Sequence, residues 1–222
     1  MNKAFIFDLD GVLIDDERIW EEEKSKLYSR IFGQEVTDRL GSTLGLNMDA
    51  IYEKAVTCGA QVDKKTLIAA FYNVASDIYR TAPIPERLDE LASFLKAEGF
   101  VIGIVSASPL SWITTVTKRL SFENDIALII SLHERPDLVH KPAPDGYLEA
   151  MKSLEATPTS TCILEDSNAG IKSAKASGAF TIGLQQNLAE GYKQHGADAY
   201  AATVKEVIEL IKHRDQPTSG TS

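Results

Sequence analysis

Cysteine is almost absent. Cys58 and Cys162 are the only two in 222 residues, and neither belongs to a C-x-x-C pair. That is too few for a disulfide framework, and the expectation is two buried thiols in a reducing compartment. Long apolar runs are missing too, since none approaches the 18 or more residues a membrane span needs. Ahead of Asp8 the apolar stretch covers only residues 4–7, too short for the apolar region of a signal peptide. A soluble, cytoplasmic chain with no membrane partner is expected. Basic residues are outnumbered, 23 against 32 acidic ones, which gives a net charge of −9. No basic stripe is present, so no nucleic-acid partner is expected. The same balance means that any phosphate site must supply its own cations. The four histidines, His133, His140, His195 and His213, have no metal-ligand spacing and are expected at the surface. What the chain does have is apolar content, 44% hydrophobic, which at this length fills a proper core.

The strand signals are short and continuous rather than alternating: residues 4–9, 100–105, 126–130, 161–164 and 180–184. Continuous apolar runs predict a parallel sheet covered on both faces. Helical patterns over 86–98, 110–120, 145–154, 168–177 and 204–212 separate the later runs. The layout is α/β, a doubly wound, Rossmann-like parallel sheet. Residues 16–81 break the rhythm with three helical patterns, 16–32, 49–58 and 63–79, and no strand. They read as an inserted all-helical module. Pro83 and Pro85 mark the return of the chain to the sheet. The expected division is a core of 1–15 and 82–213, the helical insertion 16–81, and a polar, disordered tail 214–222. An insertion after the carboxyl end of a strand stands where α/β folds bind ligands, which predicts a lid that opens and closes.

Asp8-Leu9-Asp10-Gly11 places two carboxylates where the first strand ends. Two crowded anions in a crevice repel each other, and a metal ion resolves the cost. Hard oxygen donors select Mg2+. A second acidic pair, Glu165-Asp166, follows the 161–164 strand, and Ser167-Asn168-Ala169-Gly170 then opens a helix. The plain alternative is that Asp166 or Ser167 only caps that helix. Lys141, in His140-Lys141-Pro142-Ala143-Pro144, lies in a loop stiffened by proline. It can offset carboxylate charge and hold a phosphoryl oxygen, although an isolated lysine is ordinarily surface. Ser106-Ala107-Ser108 follows the 100–105 strand and can form an anion site of hydroxyls and backbone N–H groups, or simply cap a helix.

Four such motifs at four strand ends resemble the haloacid dehalogenase (HAD) superfamily. The pieces are FDLDGVLID at 7–15, VSAS at 105–108, KPAPDGY at 141–147 and LEDSNAGIKSAKASG at 164–178. Within the superfamily the chain looks most like phosphatases and β-phosphoglucomutases, and the insertion resembles the family's small helical cap. The resemblance implies a HAD core with an all-α cap domain and phosphoryl-transfer chemistry on a small phosphorylated metabolite. It implies that Asp8 is the nucleophile, forming an aspartyl-phosphate, and that Asp10 is the general acid and then the base. Ser106 and Lys141 would hold phosphoryl oxygens, with Gly11, Ala107, Ser108 and Asn168 lining the substrate. Asp8, the main-chain carbonyl of Asp10 and Asp166 would bind Mg2+. Glu165 would be either a further ligand or a partner of Lys141.

The chain departs from the mutase pattern in three places. Trp20 stands where the resembling mutases carry a histidine, Met48 where they carry a basic residue after the Gly45 turn, and Pro109 where they carry a lysine. A mutase must hold a second phosphate, which needs cations. The departures therefore favour a hydrolase acting on a singly phosphorylated substrate, with Trp20, Gly45 and Met48 at its non-phosphate end. Trp20 and Met48 read equally well as core of the helical module. Arg18 and Arg39 could supply the missing charge, so a sugar-phosphate mutase is the alternative. A phospho-accepting signalling module or a non-catalytic binding relative is the alternative of another class. The acidic run Asp15-Asp16-Glu17 reads as a solvated helix face, with Asp15 able to fix a hinge, and Trp112 reads as core. A monomer is expected.

Overall fold

The computed structural model describes all residues except Leu44, Gly45, Asn47, Glu190 and 215–222, and the side chain of Glu17. Its strands form where apolar runs are continuous. β1 (Asn2–Phe7), β2 (Phe100–Ser106), β3 (Ile126–Ser131), β4 (Ala156–Glu165), β5 (Phe180–Leu184) and β6 (Ala199–Ala201) make one parallel sheet in the order β3-β2-β1-β4-β5-β6. Ala4, Phe5, Ile6 and Phe7 are all fully buried, as a strand covered on both faces must be. The helices of this unit are α5 (Leu88–Ala97), α6 (Leu110–Thr117), α7 (Asp145–Ser153), α8 (Asn168–Ala176) and α9 (Val204–Arg214). In α5 and α9 the buried residues recur at i, i+3, i+4 and i+7: Leu88, Leu91, Ala92 and Leu95, then Val204, Val207, Ile208 and Ile211. That spacing lays one apolar stripe along each helix for packing.

The sheet is the doubly wound α/β arrangement that the sequence predicts. β1 lies at its centre, with β2 on one side and β4 on the other. Strand order reverses there, and ligands of such folds bind at the carboxyl ends of the strands beside that reversal. β1 stops two residues earlier than the apolar run suggests. Asp8 N still donates to Leu164 O at 3.0 Å, but Leu9 O then accepts from the backbone N–H of Val12, Leu13 and Ile14. This turn carries the chain off the sheet just where Asp8 and Asp10 stand.

The chain divides into two compact units, Met1–Glu17 with the described residues from Pro83 on, and Arg18–Ala82. The second unit contains α1 (Glu17–Phe32) from Arg18 on, α2 (Gln34–Leu40), α3 (Met48–Thr57) and α4 (Lys64–Thr81). It has its own hydrophobic cluster, including Leu27, Tyr28, Leu40, Ile51, Ala55 and Leu67.

Several local expectations need correction. Residues 34–40 form a helix between Gly33 and Gly41, both at positive φ; seven residues flanked by glycines are too few for a periodic signal. β6 has only three residues and carries no sequence signal for the same reason. Arg214 belongs to α9 rather than to the tail, and 215–222 lie outside the described residues. Cys162 is buried but Cys58 only partly so, and Trp112 is half-buried. Asp16 is 1% exposed, not part of a solvated face; its Oδ1 accepts from Gly11 N at 3.0 Å. At Asp15, the backbone N–H donates to Pro83 O at 2.9 Å, which ties together the two chain segments that lead out of the α/β unit.

Candidate active site

Register brings the acidic groups together. Phe7 pairs with Leu164 across β1 and β4, so Asp8, just past the end of β1, and Glu165, the last residue of β4, stand side by side. Asp8 is 7% exposed and Glu165 is fully buried. Lys141 enters from the loop after β3 and spans them, with Nζ 2.6 Å from Asp8 Oδ1, 2.7 Å from Glu165 Oε1 and 3.2 Å from Val105 O. The loop lysine is therefore no surface residue.

Glu165 has both carboxylate oxygens engaged. Oε1 also accepts from Tyr147 Oη at 2.7 Å. Oε2 accepts from Asp166 N at 3.1 Å, Ser167 N at 3.3 Å and Ser167 Oγ at 3.2 Å. This carboxylate lies under the first turn of α8. A Cβ on Gly170 would come within 1.8 Å of Glu165 Oε1, so only glycine leaves it room. Of the two roles expected for Glu165, contact with Lys141 is the one these bonds describe.

Asp10 meets the serines. Ser108 Oγ donates to Asp10 Oδ2 at 2.8 Å, and Ser106 Oγ lies 3.4 Å from the same oxygen. Ser108 N donates to Ser106 Oγ at 3.0 Å and Ser131 Oγ to Ser108 O at 2.7 Å, which stiffens the loop. Ser106 and Ser108 are buried, with Ala107 exposed between them.

Charge is crowded here. Burial pushes Asp8 up to about 8; Lys141 opposes this, and Glu165 and Asp10 add to it. Burial and the neighbouring Asp10 likewise push Asp16 up to about 8. For Lys141, burial works against the charged form, but Asp8 and Glu165 outweigh it and hold the ammonium well above its ordinary value. One ammonium among Asp8, Asp10, Asp16, Glu165 and Asp166 leaves negative charge uncompensated. A hard divalent cation fits this donor set. Among the described residues, Asp8, Glu165 and Asp166 place ligand oxygens within 4.8 Å of one another, all buried. Gly11, at φ +73°, makes space for that group, since a Cβ there would lie 2.0 Å from Asp166 Oδ2.

The structure thus brings Asp8, Asp10, Gly11, Ser106, Ala107, Ser108, Lys141, Glu165 and Asp166 to neighbouring strand ends. Asn168 has a different task. Its Nδ2 donates to Lys193 O at 2.9 Å and its Oδ1 accepts from His195 N at 2.9 Å, pinning the following loop. In the helical unit, Trp20 stacks on Phe71 with centroids 5.0 Å apart, and Met48 packs against the hydrophobic cluster. Gly45 lies outside the described residues. Four residues with a part in this site escaped the sequence reading: Asp16, Tyr147, Asn187 and Gln194. Asn187 Nδ2 donates to Gly11 O at 3.1 Å, and Gln194 Nε2 to Asp166 O at 2.6 Å. Tyr147 stands inside the KPAPDGY motif; Asn187 and Gln194 carry no local signal.

The chain is similar to known proteins in sequence and in fold. A family model described as haloacid dehalogenase-like hydrolase matches residues 5–184. Hexitol phosphatase B of Escherichia coli K12 is 28% identical over 179 residues, 78% of this chain and 79% of that protein. Beta-phosphoglucomutase of Bacillus subtilis is 25% identical over 224 residues, 96% of this chain and 95% of that one. A crystal structure of a haloacid dehalogenase-like protein from Agrobacterium tumefaciens superposes with a TM-score of 0.74 at 20% identity, covering 97% of this chain and all of that one, which shows a shared fold. On the family match, which spans most of its length, the chain belongs to the haloacid dehalogenase-like hydrolases.

Proposed function

We propose that the chain is a Mg2+-dependent phosphatase that hydrolyses a small phosphomonoester, a sugar phosphate or related metabolite, through an aspartyl-phosphate on Asp8. The observation that carries this reading is the Asp8 carboxylate held 2.6 Å from the Lys141 ammonium inside a buried acidic cluster. Asp8 attacks phosphorus in line with the leaving oxygen. Lys141 and the Ser106–Ser108 loop receive the phosphoryl oxygens, where fixed donors are worth most. Asp10 gives a proton to the leaving oxygen and later takes one from the water that attacks the aspartyl-phosphate. Asp8, Asp166 and the main-chain carbonyl of Asp10 would hold Mg2+, with Glu165 orienting Lys141. When bound, the ion neutralises carboxylate and phosphoryl charge.

The hydrolase is preferred to the mutase on the same departures noted in the sequence. In the helical unit Trp20 and Met48 are engaged in aromatic and apolar packing, and Arg39 pairs with Glu35 at 2.5 Å. Trp20 and Met48 offer no charge to a second phosphate, which leaves Arg18 and the exposed Arg39 as the cations on which a mutase would depend. Binding energy from that phosphate is what lets a mutase retain its aspartyl-phosphate against water. The test is β-glucose 1-phosphate with catalytic glucose 1,6-bisphosphate and Mg2+, following glucose 6-phosphate and free phosphate together. Free phosphate should dominate. Glucose 6-phosphate forming faster would overturn the hydrolase reading in favour of the mutase.

A further inference from the structure

Tyr147 has no task in the proposed reaction, although it touches Glu165, the partner of Lys141. Its side chain is fully buried on the first turn of α7. Its hydroxyl donates to Glu165 Oε1 at 2.7 Å, the same oxygen that Lys141 Nζ meets at 2.7 Å. The Lys141 ammonium also lies 5.1 Å from the centroid of the Tyr147 ring. α7 is packed close to bring this about. A Cβ on Gly146 would stand 2.8 Å from Leu132 Cδ2 and 2.9 Å from Val105 Cγ1.

Core packing alone does not call for this hydroxyl, since phenylalanine would fill the same space without a polar atom to satisfy. A lysine, by contrast, has a flexible stem whose ammonium must be placed by its surroundings. Asp8, Glu165, Val105 O and the Tyr147 ring are those surroundings.

We propose that Tyr147 is a positioning residue: by fixing Glu165 with its hydroxyl and flanking Lys141 with its ring, it holds the lysine ammonium against the Asp8 carboxylate. The inference rests on the phosphatase reading. Without the hydroxyl, Glu165 Oε1 keeps only the lysine, and although Oε2 retains its three donors the oxygen that meets the ammonium is less firmly placed. Misplacement of a catalytic contact by about 1 Å can cost roughly 100-fold in rate.

The test is Tyr147→Phe, assayed with a generic aryl phosphate and saturating Mg2+. The expected result is a kcat lowered about 10- to 100-fold, with KM changed by less than about threefold and an unchanged unfolding curve. In a Glu165→Ala background, which removes the acceptor, the same substitution should change kcat by less than about twofold, because its effect passes through Glu165. An active wild type with a Tyr147→Phe kcat within about twofold of it overturns the positioning role and leaves the phosphatase reading standing. A loss undiminished by Glu165→Ala also overturns it. An inactive wild type overturns both readings. If Tyr147→Phe does not fold, 3-fluorotyrosine at position 147 replaces it, keeping the shape and strengthening the donor. A kcat shift beyond about twofold at constant Tm then supports the role, and no shift overturns it.

Discussion

At Asp8 burial and charge act against each other. Burial disfavours its anion, while Lys141 at 2.6 Å favours it. Asp8→Asn keeps the shape and removes both the anion proposed to attack phosphorus and a charge proposed to hold the metal. Turnover should fall roughly 10³-fold or more, with the chain still folded by circular dichroism. Retained wild-type turnover would exclude Asp8 as nucleophile. Gly11 tests the metal from another direction. Gly11→Ala adds a Cβ at positive φ, 2.0 Å from Asp166 Oδ2, so Asp166 must shift. The Mg2+ concentration for half-maximal activity should rise several-fold, about tenfold, and an unchanged Mg2+ titration would count against Asp166 as a ligand. Asp8, Asp10 and Asp166 could be found in the sequence because each stands in a motif at a strand end, and Lys141 because it stands in a proline-stiffened motif of the loop after β3. Asp16 could not, because an acid in a run of acids looks solvated until the Gly11 N–H is seen to meet it.

α8 and α6 carry their own tests. Ser167 caps α8, its Oγ accepting from Gly170 N at 3.0 Å, and it also donates to Glu165 Oε2. Ser167→Ala should cost about 0.5–2 kcal/mol in urea unfolding and also lower activity, because Glu165 loses a donor; a change in neither would mean that the cap is idle. At the start of α6, Glu134 accepts from Leu110 N at 3.1 Å and from Ser131 Oγ. Burial would raise its carboxyl, but these bonds prevail and hold it below its ordinary 4.5. Stability from a lowered carboxyl is present above the unfolded value and is lost as pH falls through the folded one. Glu134→Gln should therefore flatten the loss of stability on acidification below about pH 4.5; urea midpoints at pH 3 and pH 6 that differ as in the wild type would refute this. The five long strands and most helices were legible because apolar runs and 3.6-residue periodicity are local. α2 and β6 were not, being shorter than the windows in which such patterns rise above chance.

Across the whole chain, the acidic balance and the buried carboxylates make one further prediction. EDTA should abolish phosphatase activity and Mg2+ should restore it. Binding to the folded chain alone should also raise Tm with Mg2+ concentration, by the equivalent of about 2.7 kcal/mol at 100 times Kd. Full activity after chelation, or a Tm indifferent to Mg2+, would remove the metal from the scheme. The helical insertion belongs to the same scale. It was visible as some sixty residues of helical pattern without a strand between β1 and β2, and it carries a hydrophobic cluster of its own.

By itself the sequence determined the α/β alternation, the helical insertion, the family and the motif residues, because all of these rest on patterns within short windows. The tertiary structure decided which groups meet. That Lys141 lies between Asp8 and Glu165 follows from parallel register and from a loop more than a hundred residues away in sequence from Asp8. That Asn168 is occupied by a loop backbone, that Asp16 is buried, and that Tyr147 reaches Glu165 are likewise facts of long-range packing. A side chain's partner depends on where distant segments cross, and no local pattern of residues encodes that crossing.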